Sequence, residues 1–441
     1  MSLQRRLGLL DLTLIAIGAV IGSGIFRNPA VVAHRAPNAG IILGCWIAGG
    51  ILALMSAFVF AELSARRPES GGLYAYLRDA FHPVAGFIFG WTTLTIAYTG
   101  STAASAVLFA GYVAPLFGAH APDPRLLAVI TLAVVTFINV LGVREGSTWQ
   151  NVLVALKVLA IGALVVAGLI GPVAAPYAVA THLAGSSIGV LGAIGAAMLP
   201  VLFAYNGLQC ATYIIAETKD PARTLPRALV IAVAVIITIY VLVNVGCLRV
   251  LGVAGLAATA TPAADVMSHA FGSLGARLIT IAIALSTLGY MSNSILLGPR
   301  IYFQMAADGL LFKQIAWVSP RTRVPVIAIL LQGLFAAIIA ASGTFEQIVN
   351  WVTAPEWAFV AAGAIAVFVF RKRDAQANAP TPFFRIPLHP YSTIVVLAAL
   401  AAIFVACVAL YPLDTLFGFG VMALGGIIFF AARLGSRSTA S

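Results

Sequence analysis

The chain has 441 residues, of which 61% are hydrophobic and only 9% charged. Soluble domains carry roughly 25% charged residues, so this composition excludes a water-soluble globular fold and identifies an integral membrane protein. The formal net charge of +11 at first suggests nucleic acid, a reading that the placement of the charges removes.

Twelve apolar runs follow one another, each near the ~20 residues that cross a bilayer as a helix. They lie near 9–34, 40–65, 82–115, 125–143, 149–171, 188–216, 225–252, 274–305, 325–341, 346–370, 391–411 and 414–434. The pattern predicts an all-α integral membrane protein with 12 transmembrane helices. With the N-terminus in the cytoplasm, twenty of the 25 Lys and Arg fall on the cytoplasmic side when Lys157, inside a span, is counted with them, the others being Arg27, Arg35, Arg125, Arg249 and Arg277. That asymmetry follows the positive-inside rule and places both termini in the cytoplasm of a protein of the cytoplasmic (inner) membrane. The basic balance is therefore topology, and no nucleic-acid partner is expected. Arg5 and Arg6 precede the first run as in a signal peptide, but no small-residue cleavage pattern closes it, so it is read as retained. The loops are short, giving one transmembrane domain over 1–435 and a disordered tail over 436–441. Cys45, Cys210, Cys247 and Cys407 all fall inside apolar runs, so no disulfide framework is implied. The six histidines lack metal-ligand spacing, and no cofactor is expected.

The first run contains "IAIGAVIGSGIF", with Gly22, Ser23 and Gly24 at its centre. Glycine in a helix interior costs about 1 kcal/mol relative to alanine. The stretch is either a notch for close helix packing or a deliberate break. The sixth run carries a second anomaly, "AAMLPVLFAYNGL", where Pro200 removes a backbone donor and Asn206-Gly207 is a turn signal in mid-membrane. Interruptions at corresponding places in two halves point to an inverted-repeat transporter and its binding site. The repeats would be spans 1–5 (about 9–171) and 6–10 (about 188–370), with two further helices over about 391–434.

A broken helix exposes N–H groups at the start of its second half and carbonyls at the end of its first. In the first run these are the N–H groups of Ser23, Gly24 and Ile25 and the carbonyls of Ala19, Val20 and Ile21, flanking Gly22. In the sixth they are the carbonyls near Leu202, Phe203 and Ala204 and the N–H groups beyond Asn206, with Tyr205 and Gly207 alongside. Donors for an anion thus stand beside acceptors for a cation, which is the charge pattern of an α-amino acid. Thr92, Thr95, Thr99 and Thr102 fall on one helical face that would line the pathway, Thr99 being the candidate carried forward. Hydroxyls bonded back to their own helix are the competing reading.

"LGLLDLTLIAIGAVIGSGIF", "AELSARRPESGGLYAYLRDAF", "FAYNGLQCATYIIAETKDPARTLPRAL" and "GPRIYFQMAADGLL" together cover most of the chain. They resemble the amino acid–polyamine–organocation superfamily and, within it, the L-type amino-acid transporter family, in the pattern of bacterial serine/threonine-exchanger-like members. The resemblance implies a fold like that of the bacterial leucine transporter (a 5+5 inverted repeat with spans 1 and 6 discontinuous) and alternating access. It further implies sodium-independent amino-acid transport, by exchange or with a proton. Two departures stand out. Where the family commonly has Asp-Gly-Trp, this chain has Asn206, Gly207 and Leu208, so substrate identity does not carry over. The loop "GAHAPDPR" lacks the cysteine that joins eukaryotic relatives to a heavy chain, so no disulfide-linked heavy chain is expected.

Lys157 stands within the fifth run, where a lysine costs ~3 kcal/mol on insertion scales and is a functional candidate. By the resemblance it substitutes for the sodium of ion-coupled relatives, as a proton carrier or a fixed cation, meeting carbonyls of the span 1 break near Ala19 and Gly22, with Ser292 of span 8. A lysine snorkelling to the membrane surface is the bland alternative. Glu356, after Pro355 in span 10, has no role that the resemblance supplies. It either selects a cationic side chain or faces the aqueous pathway. A polyamine or cationic amino-acid antiporter on the same fold is the second reading of function and a membrane-embedded enzyme the third. The latter lacks clustered catalytic groups.

Overall fold

A computed structural model describes residues 8–22, 24–36, 38–67, 72–142, 147–173, 189–208, 218–322 and 324–438. Ser23, Cys210, the stretch of span 6 after Leu208 and the last three residues of the tail lie outside the described residues.

The fold is helical. In chain order come α1 (Leu9–Val20), α2 (Gly24–Arg35), α3 (Ala39–Arg66) and the short α4 (Leu73–Ala80). Next are α5 (Pro83–Thr92), a π turn over Thr93–Ala97, α6 (Tyr98–Val113), α7 (Pro124–Val140), α8 (Ser147–Ile170) and α9 (Gly189–Ala204). The second half holds α10 (Pro221–Ala258), α11 (Pro262–Leu297), α12 (Pro299–Ala307), α13 (Val326–Ser342), α14 (Phe345–Gln376), α15 (Tyr391–Leu410) and α16 (Pro412–Ser438). Among the described residues, seven spans are long and apolar enough to cross a membrane, α1 and α2 together form a bent pair that also qualifies, and α7, the Leu156–Ile170 part of α8, α9 and α13 contribute shorter apolar segments.

The helix starts follow local chemistry. Asn38 accepts a hydrogen bond from the Ile41 amide as N-cap of α3, and Asp123 accepts from the amides of Arg125 and Leu126 ahead of α7. Thr344 and Gln347 form a reciprocal capping box at α14. Proline occupies the first turn of α5, α7, α10 and α11, where its missing N–H costs nothing. Between helices, small residues allow close crossings in place of a hydrophobic driving force. A Cβ at Gly168 of α8 would lie 2.4 Å from the Gly246 Cα of α10, so those backbones nearly touch.

The two ends of α14 are tied down by charge. At its C-terminal end Glu62 of α3 is fully buried and accepts from Arg66, Arg371 and the Ile386 amide, while Asp374 binds Arg66 and Arg67. Glu62 thus pairs with an arginine of its own helix and with a second arginine from α14. At the N-terminal end Glu346 lies 3.8 Å from Arg27 and 3.9 Å from Arg35, both on α2. The π turn in the third span was not foreseen. It adds a residue to one helical turn and breaks the constant register assumed for the threonine face. Thr92, Thr95 and Thr102 bond back to Ile88, Trp91 and Tyr98 of their own helix.

Candidate functional site

α1 ends where the Ile21 amide donates to the Ile17 carbonyl at 2.9 Å, and α2 sets off from Gly24 at 51° to it. The span does break at the glycines. Gly22 lies in the gap, and the N–H groups of Gly24 and Ile25 open the new helix, where no intrahelical acceptor exists for them. α9 ends at Ala204 and passes into a turn over residues 205–208. There the Tyr205 amide donates to Val201 at 3.1 Å and the Asn206 amide to Phe203 at 3.4 Å.

The two gaps touch. A Cβ at Gly24 would lie 3.1 Å from the Ala204 Cα, tighter than ordinary contact. Gly207 has φ +119°, a conformation open to glycine, and a Cβ there would lie 2.5 Å from the Ala19 carbonyl oxygen. Further along the pair, the Asn28 amide donates to the Pro200 carbonyl at 2.6 Å. Pro200 has no N–H to offer the carbonyl four residues back, and that carbonyl, of Ala196, instead accepts from Arg35. Both carbonyls at the Pro200 kink thereby meet a side chain of α2.

Most of the surrounding residues are buried: Val20, Ile21, Gly24, Ile25, Ala204 and Tyr205. Ala19, Gly22, Phe203, Asn206 and Gly207 keep some accessible surface. The exposed spots therefore gather at the gaps, as they must where backbone is to meet a ligand or water inside a membrane.

Several carbonyls at the gaps already have protein partners. The Lys157 ammonium, on a side chain of a residue 8% exposed, donates to the Ile21 carbonyl at 2.6 Å. This puts the lysine at the span 1 break, on Ile21 between Ala19 and Gly22. The Tyr240 hydroxyl of α10 sits between both breaks, 3.0 Å from the Ala204 oxygen and 3.4 Å from the Val20 oxygen. Its ring packs 5.0 Å from that of Tyr205 and 5.3 Å from that of Trp46, and the Tyr205 hydroxyl donates to the Trp46 carbonyl. Sequence reasoning missed Tyr240, since a single tyrosine in an apolar helix carries no pattern.

The other candidates, Thr99 aside, have separate partners. The Ser292 hydroxyl accepts from Asn139 at 3.2 Å, and no bond between it and Lys157 is present among the described contacts. Thr99 is fully buried with its hydroxyl unpartnered. Glu356 of α14 accepts a hydrogen bond from the Asn206 side chain, joining the span 10 helix to the gap in span 6. Phe203 faces Phe345 of α14, ring centroids 6.4 Å apart. Arg27, besides nearing Glu346, donates to the Thr259 carbonyl at 2.6 Å. Among the described residues no group of three His, Cys, Asp or Glu is placed to hold a metal ion.

Comparison with known proteins agrees with this geometry. Residues 7–430 match the model of the amino acid permease family. The chain is 30% identical over 405 residues to the serine/threonine exchanger SteT of Bacillus subtilis (strain 168), covering 90% of each protein. It is 30% identical over 401 residues to the b(0,+)-type amino acid transporter 1 of Mus musculus, covering 88% of this chain and 80% of the relative. It is 29% identical over 358 residues to the large neutral amino acids transporter small subunit 2 of Homo sapiens, covering 80% and 67%. This chain belongs to the amino acid permease family of multi-pass membrane transporters.

Proposed function

We propose that the protein is a secondary transporter of α-amino acids working by alternating access, with the substrate's charged backbone groups held between the gaps of spans 1 and 6. The observation that carries this reading is the direct contact of the two gaps, Gly24 against Ala204 and Gly207 against Ala19. The free N–H groups opening α2 suit a carboxylate. The carbonyls ending α1 and α9 suit an ammonium. A carbonyl oxygen has two lone pairs, so the bonds from Lys157 and Tyr240 leave acceptor capacity for the substrate.

In this reading the long apolar helices, the bent pair and the four shorter apolar helices make up twelve spans, arranged as a 5+5 inverted repeat followed by α15 and α16. Both termini lie in the cytoplasm of a cell membrane, because the lysine and arginine bias supports that orientation. Lys157 stands in for a coupling sodium, its ammonium on Ile21 supplying a fixed positive charge at the broken helix end. The printed activities of the relatives are amino-acid transport and exchange, which favours this reading over a polyamine carrier and over an enzyme. The small-subunit relative's name implies a companion chain for that protein. Here the loop after α6 has no cysteine, and Cys45, Cys247 and Cys407 are buried in helices, so a disulfide-linked heavy chain is not part of the proposal.

Counterflow into proteoliposomes tests it. With unlabelled amino acids inside and no sodium, labelled members of the same panel accumulate above their equilibrium level. If no amino acid of the panel accumulates, the assignment is overturned.

A further inference from the structure

Glu356 is a carboxylate with no task in the scheme above. It follows Pro355 in the middle of α14, surrounded by protein yet retaining some accessible surface, and among the described residues its hydrogen-bond partner is the neutral Asn206 amide. Among the described residues it forms no ion pair. Several charged and titratable groups of the elements packed against α14 are engaged elsewhere, Arg78 of α4 with Asp79 and Asp308 and Tyr112 of α6 with the Phe26 carbonyl. Glu62 of α3 binds Arg66 and Arg371, Asp414 of α16 accepts from Asn350 and Trp351, and Tyr205 donates to Trp46. On α14 itself, Glu346 lies beside Arg27 and Arg35, and Asp374 beside Arg66 and Arg67. Lys157 is on the Ile21 carbonyl.

An unpaired carboxylate in a membrane interior is costly and is a functional site by default, completed by whatever ion relieves its charge. The space beside Asn206 is lined by Ser56, Ala57, Phe60, Tyr205, Trp357 and Val360. Its two hydroxyls already donate to backbone, Ser56 to the Leu52 carbonyl and Tyr205 to the Trp46 carbonyl, and those side chains offer no second carboxylate. A lysine-like ammonium brings three donors and a guanidinium five, which one carboxylate in a mostly apolar wall leaves largely unsatisfied, whereas a proton needs a single acceptor.

We infer that Glu356 is a proton-binding site coupled to the gap in span 6. The inference rests on the amino-acid transport reading given above. In the ionised state the Asn206 side-chain N–H donates to the carboxylate. On loading, a hydronium passes its proton to one Glu356 oxygen and leaves as water. The new O–H then donates to the Asn206 side-chain oxygen, which the amide presents by turning over. Asn206 keeps its bond in both states but with its dipole reversed, and Asn206 is part of the gap that faces the substrate. An amino acid that prefers one orientation of that amide changes the affinity for the proton, and the proton changes the affinity for the amino acid by the same factor.

The test uses the full-length chain in liposomes holding a pH-sensitive dye, with labelled amino acid followed in parallel. The wild-type protein is expected to acidify the interior as amino acid enters and to concentrate it when an inside-alkaline gradient is the only drive. Glu356→Gln is expected to lose the proton movement that accompanies each labelled amino acid. Glu356→Asp, which keeps an ionisable group, is expected to retain it. Label entering through the wild-type protein with no acidification overturns the inference, as does a wild-type ratio of protons to amino acid in Glu356→Gln. If Glu356→Gln does not fold, the wild-type and Glu356→Asp measurements decide, and loss of coupling in a transporting Glu356→Asp contradicts the role. Failure of the transport reading itself is distinguishable, because then no label moves under any gradient.

Discussion

At the scale of single residues, Lys157 bears the sharpest demand. Its ammonium reaches the last carbonyls of α1 from a buried position on α8, where removal leaves the Ile21 oxygen without its charged donor. Hydrogen bonds to charged groups contribute about 1.5–3 kcal/mol, and every ~1.4 kcal/mol is tenfold in an equilibrium. Lys157→Ala is therefore expected to depress the rate of labelled exchange at least tenfold with the protein still correctly inserted. Exchange kinetics in proteoliposomes with matched protein content check this, and unchanged kinetics would remove Lys157 from the mechanism. Gly24 and Gly207 matter in the opposite sense: what counts there is the absence of a side chain, because Ala204 and Ala19 occupy the space one would need.

Among elements, the working unit is the pair of interrupted helices with α10 and α14 laid against it. The hydroxyl of Tyr240 lies within hydrogen-bonding distance of the ends of both α1 and α9, so one side chain of α10 links the two gaps. Tyr240→Phe keeps the ring contacts with Trp46 and Tyr205 and deletes only that link. A net hydrogen bond is worth about 1 kcal/mol, and the loss is expected in the apparent affinity for amino acid, weakened a few-fold, with little change in maximal rate. A melting curve close to wild type alongside weaker binding would fit this positioning role. Equal binding would show that the gaps hold their relation without it. At the far end of α2 and α14, the grouping of Arg27, Arg35 and Glu346 joins the second half of span 1 to span 10. Any movement of α2 away from α14 must separate those charges.

For the molecule as a whole, the parts legible in the sequence were those with a local physical cost. Gly22 and Gly24 in an apolar run, and Pro200 with Asn206-Gly207 in another, defy helix propensity and so announce gaps. Lys157 and Glu356 defy the hydrocarbon and so announce chemistry. The contact between the gaps could not be read locally, because it joins residues far apart in the chain and depends on how α2 and α9 cross. Tyr240 and the Arg27–Glu346 approach were hidden for the same reason: each residue is unremarkable alone. The π turn at Thr93–Ala97 left no mark in the hydrophobic pattern, which is why the threonine face was drawn with too regular a period. On the proposed reading, the tandem of gaps, with side chains closing in from α8, α10 and α14, reads the common part of an amino acid through backbone atoms and leaves side-chain choice to its surroundings.

That claim is tested most directly by competition during counterflow, using derivatives of a transported amino acid that each lack one backbone charge. The account predicts that the carboxamide, which removes the carboxylate, and the N-acetyl form, which removes the ammonium, both fail to displace the labelled parent, while several amino acids differing only in side chain succeed. If either derivative competes as well as the parent, recognition does not rest on the paired gaps of spans 1 and 6.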